Sequence, residues 1–406
     1  MPGRAETASR CGDVFWSFLR LGLTSFGGPI AHLGYFRSEF VERRRWLSEE
    51  AYAETIALCQ FLPGPASSQA GMILGMKRAG LPGALAAWVG FTVPSAIALI
   101  IFAYGVRSVS AIANAAWLHG FRIVAVSIVA QAVWNMAQSF CPDRARASLA
   151  VAAMVLTLAL PSAASQIGAI ALGGILGWRF IAAPSSTAAG GSLETKIGRV
   201  PAAISLLLFF GLLGGLPLAA AATSSHTIEL VSRFYRSGAL VFGGGHVVLP
   251  LLQQAVVPPG WLSNSVFLAG YGAAQAIPGP LFSFAAYLGA AMNRSPNGFA
   301  GGMLCLIAIY LPSFLLLIGI LPFWQRLRQV SAIQAALRGI NAAVVGMLLG
   351  ALYAPVWINA IFRPGDFCLA VIAFLLLIFW KTPPGLVAVF GAIGATILAY
   401  MPPFSN

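Results

Sequence analysis

Gln60-Phe61-Leu62-Pro63-Gly64-Pro65-Ala66-Ser67-Ser68 sets a proline-glycine-proline breaker inside an apolar segment, and Gln275-Ala276-Ile277-Pro278-Gly279-Pro280-Leu281-Phe282-Ser283 repeats it in the second half. A helix breaker at matching depths in two halves of a membrane chain points to a substrate site between internal repeats. In each tripeptide the glycine suits a helix N-cap and the second proline the first helical position, where a missing N–H costs nothing. The half-helix that follows is expected to start near the bilayer midplane. Its free amides at residues 66–68 and 281–283 lie at the positive end of the helix dipole and offer an anion site. Gln60, Gln275, Ser67, Ser68 and Ser283 add neutral hydrogen-bonding groups. A simple kink in two packed helices is the alternative, since proline is tolerated in transmembrane segments.

Working outward, the two halves share a motif order. Arg20, Gly22 and Phe26-Gly27-Gly28 match Arg236, Gly238 and Phe242-Gly243-Gly244. Trp46-Leu47-Ser48 matches Trp261-Leu262-Ser263, Pro94-Ser95 matches Pro312-Ser313, and Leu118-x-Gly120 matches Leu337-x-Gly339. One ancestral unit was duplicated. The first glycine turn continues as Gly28-Pro29, imitating the cap and first-turn pattern, whereas the second has Gly245 in place of the proline. Close helix packing through glycine is the other reading of these turns.

With 59% hydrophobic and 9% charged residues among 406, and a mean hydropathy of +0.84, the chain reads as an all-α polytopic membrane protein. At about 20 residues per crossing there are about 10 to 13 hydrophobic segments. In the first half they lie near 15–36, 51–76, 82–105, 112–138, 147–161 and 165–182. A lone segment near 200–222 precedes the second set. The organisation is then a cytoplasmic tail (1–13), a first repeat (14–182), a linker plus one extra transmembrane helix (183–229) and a second repeat (230–401). The linker is marked by Ser, Ala and Gly within 182–199.

If every segment crosses, an odd number of crossings separates corresponding points and the repeats are inverted, with broken helices at the midplane. On that count the loop with Arg37, Arg43, Arg44 and Arg45 faces away from Arg4 and Arg10, against the positive-inside preference. A re-entrant first segment, turned back at Phe26-Gly27-Gly28-Pro29, is the alternative.

The charge of the ligand follows from the inventory. Net charge is +13, but the basic residues are scattered through loops and helix ends, and no nucleic-acid module is present. The eleven acids fall in tails, loops or near helix starts, Glu54 and Glu229 among the last. That disfavours acidic proton relays, cation pumps and an intramembrane aspartyl protease. Arg20 and Arg236 occupy equivalent apolar positions, and Arg122 and Arg338 flank the equivalent glycines; intramembrane arginines are costly and usually functional, with snorkelling the alternative. The balance favours an anion. His32 and His246 each follow a glycine turn and could bind an anion, take a proton, or serve as satisfied polar residues. The five cysteines show no metal or disulfide pattern, and neither a metal nor another cofactor is called for.

With its FGGP and FGGG turns, WLS starts, paired Q-x-x-PGP and later P-S, the chain resembles the chromate ion transporter family in its long two-domain form, over about 12–401. Gly27-Gly28-Pro29-Ile30-Ala31-His32 and Glu39 are similar to the family's opening signature. The resemblance implies efflux of chromate from the bacterial cytoplasm across the inner membrane, driven by the proton-motive force, with sulfate as a competing analogue and chromate resistance as the outcome. On this reading the anion contacts Arg20, Gly27, Gly28, Pro29, His32, Gln60, Pro63, Gly64, Pro65, Ser67 and Ser68 in one half. Arg236, Gly243, Gly244, Gly245, Gln275, Pro278, Gly279, Pro280 and Ser283 serve in the other. A sulfate or other oxyanion importer and an anion channel of the same fold remain open; a lipid-acting enzyme lacks a nucleophile or metal cluster. Short-form relatives that work as pairs imply that two halves do the job of a dimer. The full chain as a monomer and as a homodimer both fit.

Overall fold

A computed structural model of the chain describes residues 4–108, 116–181 and 197–400, so most of the expected linker lies outside the described residues. All regular elements among the described residues are helical. Helix α1 spans Arg4–Thr24, running through residues assigned from sequence to the tail, and α2 spans Gly28–Arg37, extended by a π turn at Ser38–Arg43. Next come α3 (Glu49–Phe61) and α4 (Ala66–Ser108), the latter two helices joined where Ala79 and Gly80 leave helical geometry. The first half closes with α5 (Ala116–Phe140), α6 (Arg144–Ala159) and α7 (Ala163–Phe180). After the extra helix α8 (Arg199–Thr223) the order recurs. It runs α9 (His226–Ala239), α10 (Val248–Val256), α11 (Asn264–Ala276), α12 (Phe284–Ala291), α13 (Gly298–Ile320), α14 (Ser331–Ala351), α15 (Pro364–Ile378) and α16 (Pro384–Tyr400). Among the described residues five helical stretches are long and apolar enough to cross a membrane, in α4, α5 and α8 and in α13 and α14 with the turns that follow them.

The WLS motif explains itself as a cap. Ser48 accepts from Ala51 N–H at 3.3 Å and Ser263 from Val266 N–H at 3.3 Å, each satisfying an orphan donor at the start of α3 or α11. Glu49 and Glu50 in the first turn of α3 favour the positive end of its dipole.

The segments 15–36 and 51–76 each fold back rather than run straight through. Arg44, seven residues past the end of α2, pairs with Asp13 on α1 at 2.6 Å, and Arg78 lies 3.6 Å from the same carboxylate. Trp46, just before α3, stacks beneath the Arg44 and Arg78 guanidiniums, each 5.4 Å from its ring centroid. The start of α1, the end of α2, the start of α3 and the first part of α4 therefore gather at one end. This corrects the full-crossing expectation: the arginine loop lies on the side of α1's start. At 1.5 Å per residue α2, α3 and the first part of α4 are about 15 to 21 Å long, too short to cross the hydrocarbon core, whereas α1 over its 21 residues is about 31 Å long and the chain turns back at its end.

The second half builds the same pair of hairpins. Arg233 on α9 donates to Ala255 O on α10 at 2.9 Å and lies 4.8 Å over Trp261, whose carbonyl accepts from Asn293 N beyond α12 at 3.3 Å. These hairpins open at the other end of the molecule. The end of α4 reaches them, with Tyr104 Oη accepting from Phe299 N at 2.8 Å. Reciprocally, Arg328, beyond α13, returns to Glu54 on α3 at 2.7 Å.

Packing exchanges elements between the halves. A Cβ at Gly120 on α5 would collide with Gly391 O on α16, and a Cβ at the equivalent Gly339 on α14 would collide with Gly173 O on α7. Each long helix thus beds on the last hairpin of the opposite half. Lipid gives helices no hydrophobic reason to associate, so backbone approach through small residues supplies the contact. Ser127 on α5 adds a hydrogen bond to Ala370 O on α15 at 2.7 Å. Along the pair α14 and α6, Gly346 meets Ala150 and Gly350 meets Thr157, so these helices run parallel.

Candidate functional site

The four hairpin tips meet in the middle of the molecule, and each breaker docks on the glycine turn of the opposite half. Gly64 N donates to Val241 O at 2.7 Å, and Gly279 N donates to Ser25 O at 3.0 Å. Both glycines sit at positive φ, +125° and +114°, a region closed to a Cβ-bearing residue. A Cβ at Gly64 would also strike Ser313 Oγ, and one at Gly279 would lie 2.8 Å from Ser95 Oγ. The Pro-Ser pairs of the repeat thus form the floor beneath the other half's breaker.

The cap assignment shifts by one residue. Helix α4 begins at Ala66 and the 3-10 turn of the second breaker at Leu281, so the second proline stands at the cap position and the glycine precedes it. Likewise Gly27 caps α2, which starts at Gly28 with Pro29 in its first turn, while Gly244 precedes the 3-10 turn at Gly245 and Gly243 sits at φ +74°. The first α-helical bond of α4 is Gln69 N to Pro65 O, 2.9 Å, so the amides of Ala66, Ser67 and Ser68 precede the ladder. In the second half Ser283 N already bonds Pro280 O at 3.0 Å, leaving two.

The halves differ in polarity. Ser67-Ser68-Gln69 follows the first breaker and Phe282-Ser283-Phe284 the second. Ser68 Oγ lies 3.3 Å from Tyr310 Oη, across the interface, and Ser283 Oγ turns back to Pro280 O at 2.7 Å. His32 is buried, with Nε2 3.2 Å from Ser25 O and Nδ1 3.5 Å from Ser67 Oγ. A ring nitrogen facing a carbonyl donates, so Nε2 carries the proton and Nδ1 accepts from the Ser67 hydroxyl. Around these groups Ser25 Oγ, Gln69 Oε1 and Ser313 Oγ are buried with no hydrogen-bond partner, and the Thr92 side chain lies against Tyr310. Unpaired polar atoms at this density are costly unless a ligand or water completes them.

Not every expected residue joins this centre. Arg20 is exposed on α1 below its tip, and Gln60 is exposed one turn before the breaker. Arg236 is half-buried and lines a separate cavity of about 610 Å³ with Glu229, Ser232 and Arg233. Gln275 lies beside Tyr271, whose Oη meets His246 Nδ1 at 2.8 Å. Ser25, Gln69, Thr92 and Tyr310 escaped the sequence reading, because only Ser95 and Ser313 carried a repeated motif.

Two carboxylates are also more enclosed than expected from their sequence positions, Glu54 near a helix start and Asp366 in a loop. Glu54 is 5% exposed, held by Arg328 Nη1 at 2.7 and 2.9 Å and by Trp324 Nε1. Asp366 is 5% exposed and meets His119 Nε2 at 3.1 Å while capping Arg363 N at 3.2 Å. Both are paired with residues away from the tips, and among the described residues no carboxylate hydrogen-bonds to the tip groups named above. Among the described residues no group of His, Cys, Asp and Glu could hold a metal ion.

Comparison with known proteins adds an independent line. A family model described as "Chromate transporter" matches residues 12–178 and again 228–397. The chain is 26% identical to "Chromate transport protein" of Pseudomonas aeruginosa, covering 83% of this chain and 79% of that one. It is 27% identical to "Chromate transport protein" of Cupriavidus metallidurans, covering 82% and 80%. With "Probable chromate transport protein" of Synechococcus elongatus the identity is 28%, covering 82% of each. No solved structure gives a significant match.

Proposed function

The chain belongs to the chromate transporter family, and we propose that it is a secondary active transporter exporting chromate from the cytoplasm across the bacterial inner membrane. Sulfate competes as an analogue, the proton-motive force drives export, and chromate resistance is the outcome. The observation that carries this reading is the meeting of four hairpin tips through Gly64 N to Val241 O and Gly279 N to Ser25 O. It supports a midplane site reached from either face.

An inverted relation between the halves is part of the proposal. It draws support from hairpins that open at opposite ends and from the reciprocal bedding of α5 and α14. With two segments folding back, the second part of α4, α5, α8 and the α6–α7 pair still give an odd number of crossings. Whether that pair crosses twice or folds back leaves the parity unchanged.

In this mechanism the dianion sits before α4, where the amides of Ala66, Ser67 and Ser68 and the hydroxyls of Ser67, Ser68 and Tyr310 donate to its oxygens. Arg20 and Arg236, on the helices leading to the tips, lend positive charge to the path. The inside-negative potential favours exit by about 2.3 kcal/mol per charge per 100 mV, doubled for a dianion. His32 supplies the proton link. A proton added at Nδ1 replaces its acceptor role and frees the Ser67 hydroxyl to turn towards the anion. One repeat then rocks against the other.

The test is uptake of labelled chromate into everted vesicles energised by respiration, with and without excess sulfate. Saturable uptake that collapses with an uncoupler and falls at least tenfold in Arg20→Ala is expected. Flux that does not saturate, or is indifferent to the uncoupler in well-inserted protein, would move the reading to a channel; uptake only in right-side-out vesicles would move it to an importer.

A further inference from the structure

Away from the tips, where the first-half hairpins open, lies a cavity of about 280 Å³ lined by Arg10, Arg44, Arg45, Lys77 and Arg78 around Trp46 and its neighbours. Two guanidiniums share the single Trp46 ring, each 5.4 Å from its centroid. The nearby carboxylates are already engaged. Asp13 takes Arg44 at 2.6 Å and Arg78 at 3.6 Å; Glu39 takes Arg43 and Arg44; and Glu42 and Glu49 take Arg37 at 2.6 and 2.7 Å. Arg78 also keeps a buried Nε with no acceptor. The cavity lining holds five cationic side chains and, among the described residues, no carboxylate, so the potential inside it favours an anion.

We propose that this cavity binds a tetrahedral oxyanion group, either the phosphate of an acidic phospholipid or a free oxyanion, at the mouth of the α1–α2 and α3–α4 hairpins. The volume holds one such group with part of its hydration, and guanidiniums offer paired donors matched to its oxygens. An apolar chain continuing from a phosphate would lie along the adjoining helices, where basic residues near the bilayer surface attract acidic headgroups. The site is separate from the hairpin tips and does not depend on their role.

The experiment follows thermal unfolding of the full chain in neutral detergent by tryptophan fluorescence. The probes are dihexanoyl phosphatidylglycerol, sodium phosphate and, at matched ionic strength, sodium chloride. The variants are Arg45→Asn with Lys77→Gln, the charge-keeping Lys77→Arg, and Ser67→Ala with Ser68→Ala at the tips. Asparagine is chosen because Arg45 sits at φ +52°. A saturable rise in Tm is expected in the wild type, with its half-saturating concentration raised at least tenfold in the Arg45/Lys77 variant and unchanged in Lys77→Arg and the tip variant. Saturation by the lipid at lower concentration assigns a headgroup; equal saturation by phosphate assigns a free oxyanion. If sodium chloride reproduces the rise, or the Arg45/Lys77 variant saturates like the wild type, the site does not exist. Should the double variant fold poorly, Arg45→Asn alone carries the same reading, since that side chain is exposed.

Discussion

Gly64 and Gly279 are where a single atom has most effect. Each sits at positive φ against the other half's Pro-Ser pair, so alanine meets both backbone strain and a steric clash. Gly64→Ala or Gly279→Ala is expected to cut chromate transport at least tenfold and to lower stability by about 2 kcal/mol or more. Vesicle flux per inserted molecule and thermal unfolding check the two effects. Glu39 offers a pH test outside the membrane. Burial pushes its carboxyl up, but hydrogen bonds from Arg43 and Arg44 and their charges outweigh this and hold it below the usual range. A depressed value means that its contribution is present above the unfolded value, about 4.3, and is lost as pH falls through the folded one. Hydrogen-exchange protection in residues 38–46, measured against the intrinsic rate at each pH, is therefore expected to fall as the pH drops below the unfolded value and through the folded one. At this scale the glycines and prolines were legible because they are backbone statements. Tyr310 and Thr92 were not, because an isolated hydroxyl acquires meaning only from its neighbours.

Short helical legs, rather than full spans, build the centre. The Trp-Leu-Ser starts and Pro-Gly-Pro ends frame α3 and α11, and those boundaries are marked in the sequence by capping chemistry. What holds a leg in place is less local. Glu54 on α3 is buried against Arg328 and Trp324 from the other half, whereas the second half offers no acid at the matching stretch of α11. Glu54→Ala leaves Arg328 without its carboxylate and is expected to cost about 3–5 kcal/mol. Replacing both Glu54 and Arg328 by apolar residues is expected to recover most of that loss. A double-mutant cycle on thermal or denaturant unfolding checks it, and additivity would deny the coupling.

Seen whole, the molecule is two sets of hairpins pushed towards each other from opposite ends and locked by exchanged helices. Arg45 and Asn293 should therefore lie on opposite sides of the membrane, and Arg45 on the side of Arg10. In a background with Cys11 and Cys368 replaced by serine, Arg45→Cys and Asn293→Cys are expected to react with a membrane-impermeant maleimide from opposite faces. Labelling from one face would overturn the inverted arrangement. The sequence by itself determined the class, the duplication, the breakers and the preference for an anion, because hydropathy, motif order and proline-glycine chemistry are properties of short stretches. Only the tertiary structure decided that segments 15–36 and 51–76 fold back and that each breaker docks on the opposite half's glycine turn. It also decided that Ser68 reaches across to Tyr310 of the other half while Ser283 turns back on its own breaker. An apolar stretch reads the same whether it crosses or returns, and a backbone amide's partner is fixed by where distant chain segments meet.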